Sequence, residues 1–355
     1  MDFDLLAGPS ADVLRTELRI YPACVGESWL SVRTVDTPFN GELLRNPDPH
    51  LEFDDGFAAI YGATSVRYRF QEGMLTKLEM HVRQQSTLRG AVGKWRSRQF
   101  TTRLETIGQR LHELALLPAA YARPELILMH ASAFSLPDGG AVLVGGTGGV
   151  GKTTLGIDLC MRHGAGFLAD DIAVLDLEGA VHPNLAYPKI YAYNVVGDGE
   201  LHHRMFADSS LGDRAHWAAT RMRGGLGWGR RRRSPAQLYP NVETKPTTLR
   251  KYVLLVRDHG QSVRAETLSA AGAASLSTSV MATEQSAFQR HLAWHEFNRG
   301  VMGLRPLLQL REVLDRWKHD GEQRLRSVDC ILVKAPLGLA HSELRDRLRE
   351  IILAN

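Results

Sequence analysis

The chain has 355 residues, 44% of them apolar, with 43 Lys and Arg against 39 Asp and Glu, a length that suits two domains or one α/β domain with a large extension. No run of about 18 apolar residues occurs, which excludes a membrane-spanning helix, and the acidic opening Met1-Asp2-Phe3-Asp4 lacks the basic start of an export signal, so a cytoplasmic protein is expected. Twelve Arg or Lys and only six Asp or Glu fall between Asp198 and Asp258, so the basicity is local and nucleic-acid binding is not expected of the chain as a whole.

Residues 1–95 read as a β-rich region. Residues 28–33 and 65–70 alternate between apolar and polar side chains. Met74, Thr76, Leu78, Met80 and Val82 form one face of a further strand, with Lys77, Glu79 and His81 on the other. Asp54-Asp55-Gly56 and Glu72-Gly73 supply turns between them. The pattern predicts an antiparallel sheet with one solvated face. Phe100, Leu104, Ile107, Leu111 and Leu114 then make the apolar stripe of a helix that ends before Pro118.

From residue 96 to 355 the chain reads as a second, α/β domain. Residues 126–130 form a buried strand, and Pro137-Asp138-Gly139-Gly140 turns into the strand Ala141-Val142-Leu143-Val144. A helix follows from about Lys152 to His163, and residues 167–169 and 172–177 are strands. Residues 197–247 carry many glycines and arginines with little periodicity, and are expected to be a partly mobile loop. Residues 249–256 and 328–333 are strands, and residues 306–318 a helix. Leu344, Leu348, Ile351 and Ile352 mark a last helix capped by Ser342. Cys24, Cys160 and Cys330 are too widely spaced for a metal-ligand pattern or a disulfide framework.

Gly146-Thr147-Gly148-Gly149-Val150-Gly151-Lys152-Thr153, directly after an apolar strand, fits the loop that wraps nucleotide phosphates. Glycines let successive N–H groups turn inward, and the helix start adds its dipole. Lys152 is placed for the β- and γ-phosphates, Thr153 for Mg²⁺, and Thr154 for the nucleotide. Asp170-Asp171 follows 18 and 19 residues after Lys152. One carboxylate there suffices for the metal; two allow one for the metal and one as base towards a hydroxyl. His130, sixteen residues before Gly146, is returned to the loop by a hairpin, where it could contact phosphate or steady the basic carboxylate.

His130-Ala131-Ser132-Ala133, then the glycine-rich loop through Thr154, then Phe167-Leu168-Ala169-Asp170-Asp171, resemble the catalytic core of the HPr kinase/phosphorylase family, which is related to the ATP-dependent phosphoenolpyruvate carboxykinases. The likeness covers residues 126–195. It implies a P-loop mixed sheet with flanking helices, ATP and Mg²⁺ as cofactors, Asp171 as the catalytic carboxylate with His130 and Asp170 beside it, and a self-associating assembly. The family's later substrate-recognising segments have no counterpart here, and Thr153 replaces its more usual Ser.

Arg214, Arg221, Arg223 and the four arginines at 230–233 lie within twenty residues, interleaved with Trp217, Trp228 and four glycines. A closing flap that grips phosphate or an acidic substrate, a solvated basic loop, and an RNA-binding loop are all open. The leading expectation is an ATP-dependent kinase acting on an unidentified hydroxyl: a serine of a peptide or protein, or a small alcohol. The alternatives are an ATP-hydrolysing partner subunit that drives assembly without a phosphorylated product, and a binding protein without catalysis.

Overall fold

The structure, a computed structural model, describes residues 3–8, 10–23, 28–47, 49–83 and 103–354. Phe100, Cys24 and the domain boundary expected after residue 95 lie outside them. The protein is mixed α/β. Residues up to 83, with 103–124 and 285–316, form one compact unit; residues 125–284 and 317–354 form a second. No helix among the described residues is long and apolar enough to cross a membrane.

The first unit is built on a seven-stranded sheet. Its strands are β1 (Phe3–Leu5), β2 (Leu30–Val35), β3 (Leu44–Asn46), β4 (His50–Phe53), β5 (Gly56–Tyr61), β6 (Thr64–Gln71) and β7 (Met74–Val82), in the order β1-β2-β7-β6-β5-β4-β3. From β7 to β3 the sheet is antiparallel as expected, but β1, β2 and β7 run parallel. Val32, Phe57, Val66, Tyr68, Leu78 and Met80 face the core. Arg33, Arg67 and Arg69 lie on the wetter face, paired with Glu79 and Asp55.

The β7 face departs from simple alternation. Arg69 pairs with Lys77 while Phe70 pairs with Leu75, leaving Thr76 as an extra residue on β7. Such a bulge moves every residue beyond it to the opposite face. Leu75 is therefore buried, and Met74, expected on the apolar face, is 65% exposed.

The predicted helix continues past Pro118: Arg103–Leu111 passes through a π-helical stretch, His112–Leu116, into Leu117–Tyr121. Pro118 has no N–H to give the Leu114 carbonyl. The Tyr68 hydroxyl donates to that carbonyl instead.

Helix Ser286–Val301, distant in sequence, joins this unit through a buried polar cluster. Glu52 on β4 accepts from His295 Nδ1 at 2.8 Å and contacts His50 Nε2 at 3.2 Å. The Leu307 N–H donates to His295 Nε2 at 3.0 Å, which assigns the His295 proton to Nδ1. Burial opposes ionisation of Glu52, but the two imidazole hydrogen bonds outweigh it and hold its pKa below the usual carboxylate value.

The second unit holds a nine-stranded mixed sheet: β8 (Leu126–Met129), β9 (Ala131–Ser135), β10 (Ala141–Gly145), β11 (Gly166–Ala169), β12 (Ala173–Asp176), β13 (Ala180–His182), β16 (Thr247–Asp258), β17 (Arg264–Thr267) and β18 (Asp329–Pro336). A separate ribbon pairs β14 (Lys189–Tyr191) with β15 (Arg230–Arg232). The long strand β16 organises the sheet. It runs parallel to β10 on one side and β18 on the other, and its first residues also pair with β13. Val142, Leu143, Val144, Val253, Leu254 and Leu255 are all buried, the unbroken apolar pattern of strands covered on both faces. Helix Lys152–Arg162 packs against β9, with Gly156 close to the Phe134 ring, and Asp158 on it accepts from Arg162 at 2.9 Å and from Arg349 of helix His341–Leu353 at 3.0 Å.

Two helix ends differ from expectation. The helix expected at 306–318 is Leu310–Leu325, and the last helix starts at His341, so Ser342 lies inside its first turn and Ala340 is the cap residue. Helix Ala270–Glu284 gives no sequence signal because it is built mostly of Ala, Ser, Thr and Gly, with Leu276, Val280 and Met281 too few to form an apolar stripe.

The expected loop at 197–247 is instead largely ordered as helices Gly199–Phe206, Leu211–Gly224 and Pro235–Leu238 with β15. Helix Leu211–Gly224 buries Asp213, His216, Trp217 and Thr220, a helical stripe made mostly of polar residues, so apolar periodicity does not reveal it. The arginines at 230–233 do not form a gripping flap. Arg231 is fully buried and donates from Nε to Asp213 at 2.5 Å; Arg233 donates from Nη2 to the other Asp213 oxygen at 2.6 Å. Arg233 also donates to the Met205 carbonyl and the Ser209 hydroxyl. Removing one member of such a buried set strands the opposite charge. Asp213→Ala is expected to lower unfolding stability by about 3–5 kcal/mol, whereas Arg221→Ala, on the exposed end of the same helix, changes it by less than about 0.5 kcal/mol. Urea denaturation of both variants checks this, and equal midpoints would contradict the structural role.

Candidate functional site

The phosphate-loop motif sits where β10 ends at Gly145, between antiparallel β9 and parallel β16. Gly146 turns the chain sharply, with φ 137°, and a Cβ there would lie 2.4 Å from the Leu255 carbonyl oxygen, so a side chain has no room. Gly151, with φ 116°, is the N-cap of helix Lys152–Arg162, a conformation that glycine adopts at little cost. The loop residues Gly146, Thr147, Gly148, Gly149, Val150 and Gly151 thus join a buried strand to a helix start, as the sequence predicts.

Lys152 is buried, and its ammonium uses all three protons. It donates to the Gly146 carbonyl at 2.9 Å and the Thr147 carbonyl at 3.0 Å, and meets His130 Nε2 at 3.1 Å. Burial lowers the Lys152 pKa, against the pull of Asp171, Asp170 and Glu284. The β9–β10 hairpin returns His130 to the loop, since Ala131 pairs with Gly145. Burial and the Lys152 charge push the His130 pKa below its usual 6.5, so the ring is a neutral acceptor at pH 7. Its Nδ1 then carries the proton and is buried without a partner among the described residues. His130 thus meets the lysine rather than the carboxylate it could have steadied.

The two aspartates that follow β11 have unlike surroundings. Asp170 is buried; its Oδ1 accepts from Ser132 Oγ at 2.9 Å and Thr153 Oγ1 at 3.1 Å. Burial, with Asp171 adding, raises its pKa to about 6 despite those hydrogen bonds and Lys152. Asp171 takes a positive φ of 65°, a conformation Asp tolerates better than most side chains. Half its side-chain surface is exposed, and Lys189 Nζ lies 4.0 Å from its Oδ2. Thr154 accepts at Oγ1 from Asn194 Nδ2 at 2.8 Å, which ties the segment after β14 to the start of the phosphate-loop helix.

The arrangement therefore brings together His130, Lys152, Thr153, Thr154 and Asp170, with Asp171 beside them. Sequence reasoning gave no role to Ser132, Lys189, Asn194 or Glu284. Ser132 had a signal available, as a polar residue inside the run of small and apolar residues that forms buried β9. Among the described residues no three His, Cys, Asp or Glu side chains form a group that could hold a metal ion. Thr153 and Asp170 alone offer one hydroxyl and one carboxylate, a set suited to a Mg²⁺ that keeps phosphate and water ligands.

Asp170 gives a pH-dependent prediction. Its folded pKa of about 6 lies above the ordinary 3.8, so its contribution to stability is fully present below the lower value and is lost as pH rises through the higher one. Above that window the ionised group opposes folding by an amount on the order of 3 kcal/mol. Asp170→Asn, which keeps a hydrogen-bond acceptor, is expected to raise the thermal midpoint at pH 8 without divalent cation, to add about half as much at pH 5, and to add nothing below the lower value. An equal shift at both pH values would show that Asp170 is not the titrating group.

No protein-family model matches the chain, and a search of curated proteins finds no match.

Proposed function

We propose that the chain is an ATP- and Mg²⁺-dependent kinase of HPr kinase-like P-loop fold, transferring the γ-phosphoryl group to a hydroxyl. The acceptor is a serine on a peptide or protein, or a small alcohol. The observation that carries this reading is the pair of unlike carboxylates at the loop: Asp170 buried on the Thr153 hydroxyl, and Asp171 turned out to solvent beside Lys189. Hydrolysis and transfer both use the first, and either also needs a group that orients the attacking oxygen. A second, accessible carboxylate is what a hydroxyl acceptor requires of a base.

Thr153 and Asp170 would hold Mg²⁺, which when bound neutralises charge on the β- and γ-phosphate oxygens. The loop amides and Lys152 bind the phosphates, with Lys152 exchanging a loop carbonyl for phosphate oxygen. Neutral His130 keeps the ammonium aimed without competing for the proton. Asp171 takes the proton of the acceptor hydroxyl as its oxygen bonds to the γ-phosphorus. The bond from that phosphorus to the bridging oxygen breaks, ADP leaves with the electron pair, and Asp171 later releases its proton to solvent. Positioning and charge neutralisation do most of the catalysis.

Incubation with γ-labelled ATP and candidate acceptors tests the proposal. Asp171→Asn is expected to lower transfer about 10²–10⁴-fold while calorimetry shows unchanged MgATP affinity, and Lys152→Ala is expected to lose nucleotide binding. Full transfer by Asp171→Asn would reject the base assignment. Label recovered only as orthophosphate would favour an ATP-hydrolysing subunit.

A further inference from the structure

The phosphate loop has a second contact from within the chain. The N–H of Gly148, at its crest, donates to Glu284 Oε1 at 2.8 Å. Glu284 is the last residue of helix Ala270–Glu284, 136 residues away in sequence. Its carboxylate also acts electrostatically on Lys152 and His130, so it shares the loop's field with the groups that face a phosphate.

Two features argue against an ordinary capping role. A carboxylate in the last turn of a helix is opposed by the negative end of the helix dipole, and this helix has no basic residue in its last turn to offset it. The position is unfavourable for the helix and favourable only for the loop. The contact is made by the Gly148 backbone amide itself, the kind of group a phosphate loop turns towards a phosphate oxygen. Glu284 itself is exposed, so its side chain is free of packing that would prevent withdrawal.

We infer that Glu284 is a specificity-determining residue of the phosphate loop: its carboxylate occupies an amide meant for a phosphate oxygen, and a ligand must displace it to bind. This rests on the reading of the loop as a nucleotide site. The consequence is selective. A metal-bound triphosphate makes enough contacts along the loop and Lys152 to replace the carboxylate, because charge-assisted bonds to several amides add together. Free orthophosphate meets the same carboxylate with few compensating contacts and is repelled by it. Glu284 thereby lowers affinity for every phosphate ligand, and lowers it most for the smallest. It also ends the run of chain that belongs to the second unit, since residue 285 begins the segment grouped with the first.

Calorimetric titration of the full chain with MgATP, and separately with sodium orthophosphate, tests this in wild type, Glu284→Gln and Glu284→Ala. Gln keeps an acceptor for the Gly148 amide but removes the charge; Ala removes the contact. Both variants are expected to bind MgATP about tenfold more tightly than wild type, a change of about 1.4 kcal/mol, and to bind orthophosphate at concentrations where wild type does not. Circular dichroism confirms that the exposed substitutions leave the fold intact. MgATP affinity equal to wild type in both variants overturns the inference while leaving the nucleotide site standing. Absence of MgATP binding in all three proteins overturns the reading of the loop itself, and the inference with it.

Discussion

One buried ammonium governs the geometry of this site. Removing a lysine from water is tolerable only if its protons are all taken up, and Lys152 meets that condition with two loop carbonyls and one imidazole nitrogen. Each partner fixes something else. The two carbonyls hold the glycine-rich loop closed around its own lysine. The imidazole must be neutral to accept, which sets the protonation of His130. His130 can reach the lysine only because the β9–β10 hairpin brings its strand back beside the loop strand. The sheet order and the charge state of the site are therefore two aspects of one requirement.

The same physics assigns the arginine-rich segment a different meaning from the one its composition suggests. Four consecutive arginines look like an anion grip, yet alternation along an extended strand sends Arg231 and Arg233 to one face, where both oxygens of Asp213 wait. Asp213 is held in turn by the Ser210 hydroxyl at the start of its helix and by Ser209. A guanidinium with five fixed donors suits such a buried node better than a lysine would. The segment is a polar core.

Much of the site could be read from the sequence because its parts are local. A strand, a glycine spacing, a helix start and a following acidic pair fall between Ala141 and Asp171, and backbone geometry links them without tertiary information. The fold was less legible wherever long-range pairing decides. Alternation predicts a strand but not its direction, so the parallel pairing of β2 and β7 was hidden. One bulge residue, Thr76, reverses the face of Met74 without any unusual composition. Lys189 meets Asp171, and Glu284 meets the loop, only through the folded arrangement of distant elements. Helix Leu211–Gly224 was missed because its buried stripe is polar.

Buried charge alone does not separate the candidate site from the scaffold. Glu52 is met by two imidazoles and Asp213 by two guanidiniums, so in both clusters the carboxylate has basic partners of matched geometry. The loop region differs in kind. Asp170 is met by hydroxyls and its pKa rises to about 6, the Lys152 pKa falls, Asp171 holds a positive φ, and His130 Nδ1 has no partner among the described residues. A structural cluster would relax these four features one at a time, since each opposes stability by itself. Their concentration around one glycine-rich loop follows if the groups are arranged for phosphates, a divalent cation and an incoming hydroxyl.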